Sequence, residues 1–222
     1  MGELIGKTLP LAFGAAISPT VLALALLVLS STRRPVARGA AYLGGVLLMF
    51  GVLTVVGLAV TNHATGAGSS LNPITRAIDG TIGFLLLLLA VRTVVRVVTI
   101  DRDHPETVTQ PARPERYTSL WAAFVLGIAM MMSNFSTILL YLPAMREISS
   151  SSVDVADKAV VVVMVFVIAS LPATLPFLVR VTAPGPSARW FAALHRVVTR
   201  YQRQIGIVIE VVFGVYLLVK AL

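Results

Sequence analysis

No cysteine occurs in the 222 residues. That absence excludes a disulfide framework, a thiolate metal site and a cysteine nucleophile, and it leaves the redox compartment open. Charge is scarce as well. Asp, Glu, Lys and Arg together make up 13% of the chain, about half their share in soluble domains. The three histidines, His63, His104 and His195, stand far apart and lack ligand spacing. Asp101-Arg102-Asp103-His104 has a metal-like look but carries an arginine inside a loop. There is no glycine-rich nucleotide loop, and no serine stands near a plausible histidine base. Soluble-type catalysis therefore has no support, and no cofactor or metal is expected.

What is abundant is apolar surface. Hydrophobic residues make up 57%, more than a soluble fold of this size could hide, so the bilayer is the expected solvent. About 20 apolar residues suffice for a helix to cross it. Six stretches qualify: Thr8–Leu29, Gly39–Thr61, Ile74–Val98, Leu120–Met145, Ala159–Val179 and Gln204–Val219. The third carries Asp79, Arg92 and Arg96 near its ends, and long arginines can reach the interface from there. The sixth is interrupted by Glu210. The uncharged run Thr8–Thr32 is too long for a signal-peptide core of about 7–15 residues, so it is read as a retained span; cleavage within Gly14–Ser18 is the alternative.

The net charge of +8 is then a question of sides. With the N-terminus outside, the inner side holds Arg33, Arg34, Arg38, Arg92, Arg96, Arg102, Arg113, Arg116, Arg180, Arg189, Arg196, Arg200 and Arg203. The outer side holds Lys7, Arg76, Arg146, Lys158 and Lys220. Thirteen against five predicts that both termini are extracytoplasmic, and it makes the charge a topology signal, with no nucleic-acid partner. Residues 188–203 form neither span nor simple loop. On a helix, Trp190, Leu194, Val197, Val198 and Tyr201 share one face while Arg189, Arg196, Arg200 and Arg203 fall on another. Two readings stand: an interfacial helix on the anionic inner leaflet, or an ordinary inner loop helix.

Three spans followed by three spans predicts an all-α membrane fold of two inverted repeats, the arrangement of many transporters. The division is 1–98 for the first repeat, 99–117 for a cytoplasmic linker with three prolines and mixed charge, and 118–222 for the second repeat. Two matches support it. Ala16-Ile17-Ser18-Pro19 in the first span corresponds to Met132-Ser133-Asn134-Phe135 in the fourth, with Ser18 opposite Ser133. Asp79-x-x-x-Gly83 in the third corresponds to Glu210-x-x-x-Gly214 in the sixth.

Candidate functional residues follow from what is costly in lipid. A carboxylate near a helix centre costs about 2.5–3.5 kcal/mol on insertion scales. Glu210 is therefore a candidate proton-coupling or substrate-binding acid; the alternatives are a structural partner for Arg203 or for a Ser or Asn on another helix, or a position at the interface. Asp79 is either its counterpart or an acid matched to a helix N-terminus. Pro19 should kink or break the first span and free backbone groups, with Ser18 and Thr20 beside it. Ser133, Asn134 and Ser136 place a second polar patch at the matching depth. Helix–helix glue is the alternative for both patches. Pro172 and Pro176, four apart, predict a bend or hinge in the fifth span.

Several of these features together resemble the actinobacterial GAP family, the glycolipid- and sulfolipid-addressing proteins, within the wider LysE exporter superfamily. The residues concerned are Leu9-Pro10-Leu11-Ala12-Phe13-Gly14 leading to Ile17-Ser18-Pro19, the basic loop and Gly-rich span of Arg33–Gly57, Ala90-Val91-Arg92, Ser133-Asn134, Leu171-Pro172 with Pro176, Ala183-Pro184-Gly185, Gly214 and Lys220-Ala221-Leu222. The family commonly follows the asparagine with proline and lysine; Phe135 and Ser136 stand here instead. The resemblance implies export or addressing of a cell-envelope lipid or glycolipid at the inner membrane, with a homodimer or a larger export machinery as partner. An exporter of a small solute such as an amino acid or ion, and a non-transporting accessory subunit, are the other functions it leaves open.

Overall fold

A computed structural model describes residues 1–31, 34–64 and 119–221, and a few positions between 81 and 92. The linker and most of the expected third span, including Asp79, lie outside the described residues.

Every element among the described residues is helical: α1 (Gly2–Ala16), α2 (Pro19–Leu29), α3 (Pro35–Ala64), α4 (Leu120–Ser133), α5 (Phe135–Ser150), α6 (Val155–Thr182) and α7 (Pro184–Ala221). Helix starts follow local chemistry. Pro19, Pro35 and Pro184 each occupy a first helical position, where the missing N–H has no partner to lose. Ser119 accepts from the Ala122 amide, and Asp154 from the Ala156 amide, as N-caps of α4 and α6. Arg34, just before Pro35, turns the chain with φ 50°.

Two helical stretches are long and apolar enough to cross a membrane alone, Pro35–Ala59 and Val155–Thr182. Three bent pairs extend that to five: α1 with α2 at 50°, α4 with α5 at 75°, and Ala193–Gln202 with Gln204–Val219 at 52°. By length, a bent pair is still long enough to reach across. At about 1.5 Å per residue, α5 supplies roughly 24 Å and α4, so steeply inclined, adds only about 5 Å along the same direction. Their sum, about 29 Å, is close to the hydrocarbon thickness of about 30 Å.

The expected interfacial helix and sixth span turn out to be one continuous, bent helix. No proline or glycine stands between Ser187 and Ile205 to separate them. The bend in α7 matches that between α1 and α2, because α7 runs antiparallel along both: Phe191 packs on Leu26 and Leu29, His195 approaches Ala23, and Phe213 lies against Gly14. The expected bend at Pro172 and Pro176 does not interrupt α6, which stays helical through both.

The two ends of the bundle have different companions. Gly39 packs on Leu29 and Phe177 at one end, beside the basic turn that precedes α3. At the other, Lys158 Nζ donates to the Ser149 carbonyl at 3.0 Å, and Ser149 Oγ reaches the Leu58 carbonyl. The core between them holds Leu11, Val46, Phe50, Met131, Leu140, Tyr141 and Val165. Outside, α6 exposes Val160, Val163, Val167, Leu171, Leu175 and Leu178. An apolar exterior of this kind makes the chain a membrane protein.

α3 and α4 cross at backbone contact. A Cβ at Gly45 would overlap the Phe124 carbonyl, and one at Gly127 the Tyr42 carbonyl. Small residues are what let membrane helices approach so closely. Gly127→Leu is therefore expected to force the helices apart at a cost of about 1–3 kcal/mol or more. Thermal unfolding in detergent checks this: the variant should lose its folded, monodisperse fraction many degrees below the parent, whereas Gly51→Ala, into open space, should not.

Candidate functional site

The two bent pairs meet at their breaks. α1 ends at Ala16; Ile17 takes φ −80°, ψ 74°, and the Ser18 amide bonds the Ala16 carbonyl at 2.8 Å across it, an inverse γ-turn. Ser18 is then extended as N-cap of α2. In the second pair Asn134 does both tasks. It ends α4 with nearly the same angles, φ −91°, ψ 72°, and caps α5 by accepting from the Thr137 amide at 3.4 Å. The first break thus uses two residues and the second one. Ser18 is matched by Asn134, not by Ser133 as the sequence pairing had it.

The Asn134 Nδ2 donates to Ser18 Oγ at 2.6 Å and so ties one break to the other. A second tie repairs the backbone. The Ala15 carbonyl would ordinarily receive the amide of residue 19, but Pro19 has none. Thr137 Oγ1 donates to it instead, at 3.3 Å, from the other half of the chain. Thr137 is buried. Its signal in the sequence was indirect: Pro19 leaves a carbonyl four residues earlier in need of a donor.

Glu210 meets the second break through Ser136. It is 9% exposed, and Ser136 Oγ donates to its Oε1 at 2.9 Å. Ser136 is two residues beyond Asn134, so the second break makes two side-chain ties, one to the first break and one to the carboxylate of α7. Gly14 allows the approach, since any side chain there would collide with the Phe213 ring one turn beyond Glu210. The alternative of a serine partner for Glu210 is thus realised in its geometry. Arg203, the other suggested partner, lies outside the described side chains.

Beside the cluster is a narrow pocket lined by Ser18, Thr137, Ser170, Phe50, Met131 and Pro172, among others. Ser170 and the Pro172 wall come from α6, so the expected hinge proline borders the breaks. Pro19 is half-buried at the first of them.

Other sequence candidates point elsewhere. Thr20 is exposed, and Ser133 is exposed with its hydroxyl donating back to the Ala129 carbonyl at 2.9 Å. Arg196 and Arg200 are exposed on α7, while the side chains of Arg189 and Arg203 lie outside the described residues. Asp79 likewise lies outside the described residues. Among the described residues no three His, Asp or Glu side chains gather as a metal site.

The Thr137 bond carries a prediction of its own. Thr137→Val keeps the shape but orphans the Ala15 carbonyl, and should destabilise the fold by about 1–3 kcal/mol. Pro19→Ala, which restores an amide nearby, should reduce that loss, giving a non-additive double variant. Denaturant titration of the four proteins in detergent checks it; strict additivity would show the two residues to be unconnected.

Chemically the arrangement offers a carboxyl group, three hydroxyl groups and an amide beside two helix breaks, one of which the amide side chain also caps. No curated protein and no solved structure matches the chain. Residues 8–222, nearly its whole length, match the family described as Sap, sulfolipid-1-addressing protein, and the chain belongs to that family.

Proposed function

We propose that this protein exports or addresses a lipid or glycolipid of the cell envelope, by admitting the polar head group sideways to the cluster of Ser18, Asn134, Ser136 and Glu210 while the acyl tails stay in the bilayer. The observation that supports this most is that the second helix break is hydrogen-bonded on one side to the first break, through Asn134, and on the other to the buried carboxyl group, through Ser136. Polar groups at this depth are costly unless they are used. A head group rich in hydroxyls can replace the Ser18, Asn134 and Ser136 bonds one for one, which keeps each buried group satisfied as it passes. Glu210 is the group able to gain a proton when Ser136 leaves it, and so to couple passage to a proton gradient.

In this reading the chain has six spans, with Ile74–Val98 as the third, arranged as two inverted halves in the plasma membrane. Both termini are extracytoplasmic, and the basic turn before α3 and the arginines of α7 face the cytoplasm. The bond from Asn134 to Ser18 is the closed state, and passage requires the breaks to part. The tight pocket beside them favours a lateral route over a bulk aqueous one. The family's description, sulfolipid-1-addressing, agrees with a lipid cargo.

The test is delivery of envelope lipid. Surface-extractable lipids are compared in cells with the wild-type chain, without it, and with Ser18→Ala or Asn134→Leu. A lipid class that vanishes from the surface in the null strain and in both variants supports the proposal. An identical lipid profile in every fraction refutes it. Proton-coupled efflux of a water-soluble amino acid from proteoliposomes, with lipid delivery unaffected, would assign the same cluster to a small solute.

A further inference from the structure

The first half of α7 has three sides, and among the described residues one of them packs inside the protein. Phe191 and Val198 are buried, and His195 Nδ1 lies 3.1 Å from the Ala23 carbonyl oxygen; this side rests on α2. A second side carries Trp190, Leu194, Val197 and Tyr201, spaced at one helical turn each. They are 75%, 43%, 54% and 44% exposed. On the third side Arg196 and Arg200 are exposed, with the Arg200 guanidinium 5.8 Å from the centre of the Tyr201 ring.

This differs from the lipid-facing surface elsewhere. The exposed large residues of α6 are valines and leucines, and those of the second half of α7 are Val208, Val211, Val212, Val215 and Val219. Such surfaces suit hydrocarbon. A stripe that begins in tryptophan, ends in tyrosine and is bordered by arginines suits the boundary between head groups and acyl chains. The 52° bend that follows is what a helix needs to leave that boundary and enter the core.

We infer that residues 190–201 are a lipid-binding element that seats itself in the head-group layer of an anionic leaflet, with Trp190, Leu194, Val197 and Tyr201 dipping into the acyl boundary and Arg196 and Arg200 holding acidic phosphate head groups. Charge selects the occupant. Two exposed guanidinium groups beside an apolar stripe prefer an anionic lipid to a zwitterionic one, by about five-fold for each arginine. A second protein chain could cover the stripe but would have to neutralise the same charges.

Tryptophan fluorescence tests this in the intact protein. Trp121→Phe leaves Trp190 as the single tryptophan, since the chain has two. The protein is reconstituted in vesicles of phosphatidylcholine and phosphatidylglycerol, with bromine placed on one lipid at a time, either high or deep in its chains. The expected result is quenching strongest for shallow bromines, and several-fold enrichment of brominated phosphatidylglycerol near Trp190. Arg196→Gln with Arg200→Gln should remove the enrichment and leave shallow quenching in place. Enrichment that survives the double variant, quenching strongest from deep bromines, or Trp190 shielded from every lipid by a second copy of the chain would each overturn the inference.

Discussion

Glu210→Gln is expected to stop delivery of the envelope lipid while leaving the protein folded and in the membrane. Glutamine keeps the size of the side chain and can still accept from Ser136 through its amide oxygen, so the Ser136–Glu210 contact survives in neutral form. What is lost is the exchangeable proton and the charged state. If the acid is the coupling group, the loss is the whole coupled cycle and not a fraction of it. A hydrogen bond to a charged group is worth about 1–1.5 kcal/mol more than a neutral one, so weakening of the contact alone amounts to roughly a five- to ten-fold reduction. Surface-lipid extraction, normalised to the amount of protein in the membrane fraction, measures it. Glu210→Asp should retain part of the activity, because the carboxyl remains but falls short of Ser136. Full delivery by the glutamine variant would reduce Glu210 to a packing residue.

Asn134→Leu carries the second large effect, and it acts on structure and function together. One side chain supplies the bond to Ser18 at 2.6 Å and the cap that receives the Thr137 amide. Leucine removes both and leaves a buried hydroxyl and a helix-end amide without their present partner. Each such orphan costs about 1–3 kcal/mol, and loss of an N-cap alone costs about 1. The variant should therefore unfold several degrees earlier in detergent and deliver no lipid. Asn134→Asp separates the two contributions. An aspartate still caps α5 but offers no amide donor, so stability should largely return while lipid delivery stays low. Recovery of both would mean that the amide donor of Asn134 has no part in function, since the Ser18 hydroxyl can itself donate to an aspartate.

The membrane class was legible because composition and run length are decided by the solvent, and no tertiary detail can reverse them. The breaks were legible in place but not in register. Pro19 announces its break through a missing amide, whereas Asn134 announces its own only through a costly side chain in an apolar run, so pairing by letters set Ser18 against Ser133. Backbone geometry sets it against Asn134, since capping and not residue type defines the position. Glu210 stood out because a carboxylate has few other reasons to be there. Its partner did not, because Ser136 is one of several hydroxyls in that run, and which one faces α7 depends on a 75° bend that periodicity does not reveal. Thr137 and Ser170 were missed for the same reason. Threonine and serine are common in membrane helices, and only the orphaned Ala15 carbonyl makes Thr137 special. The apolar stripe of α7 was seen as one face, but Val198 belongs with Phe191 against α2; a helix with two apolar sides, one for protein and one for lipid, looks single on a wheel.

The absence of cysteine permits a direct trial of whether the two breaks must part. Ala15→Cys with Thr137→Cys places the only two thiols of the chain at neighbouring residues across the breaks, with Ser18, Asn134 and Ser136 left in place, and a short thiol-specific bridging reagent can join them in intact membranes. The expected result is an intramolecular bridge in high yield, arrest of surface-lipid delivery above the level lost by the unbridged double variant, and recovery to that level when a cleavable bridge is reduced. A chain that bridges fully and still delivers its lipid at the unbridged rate would contradict passage between the breaks.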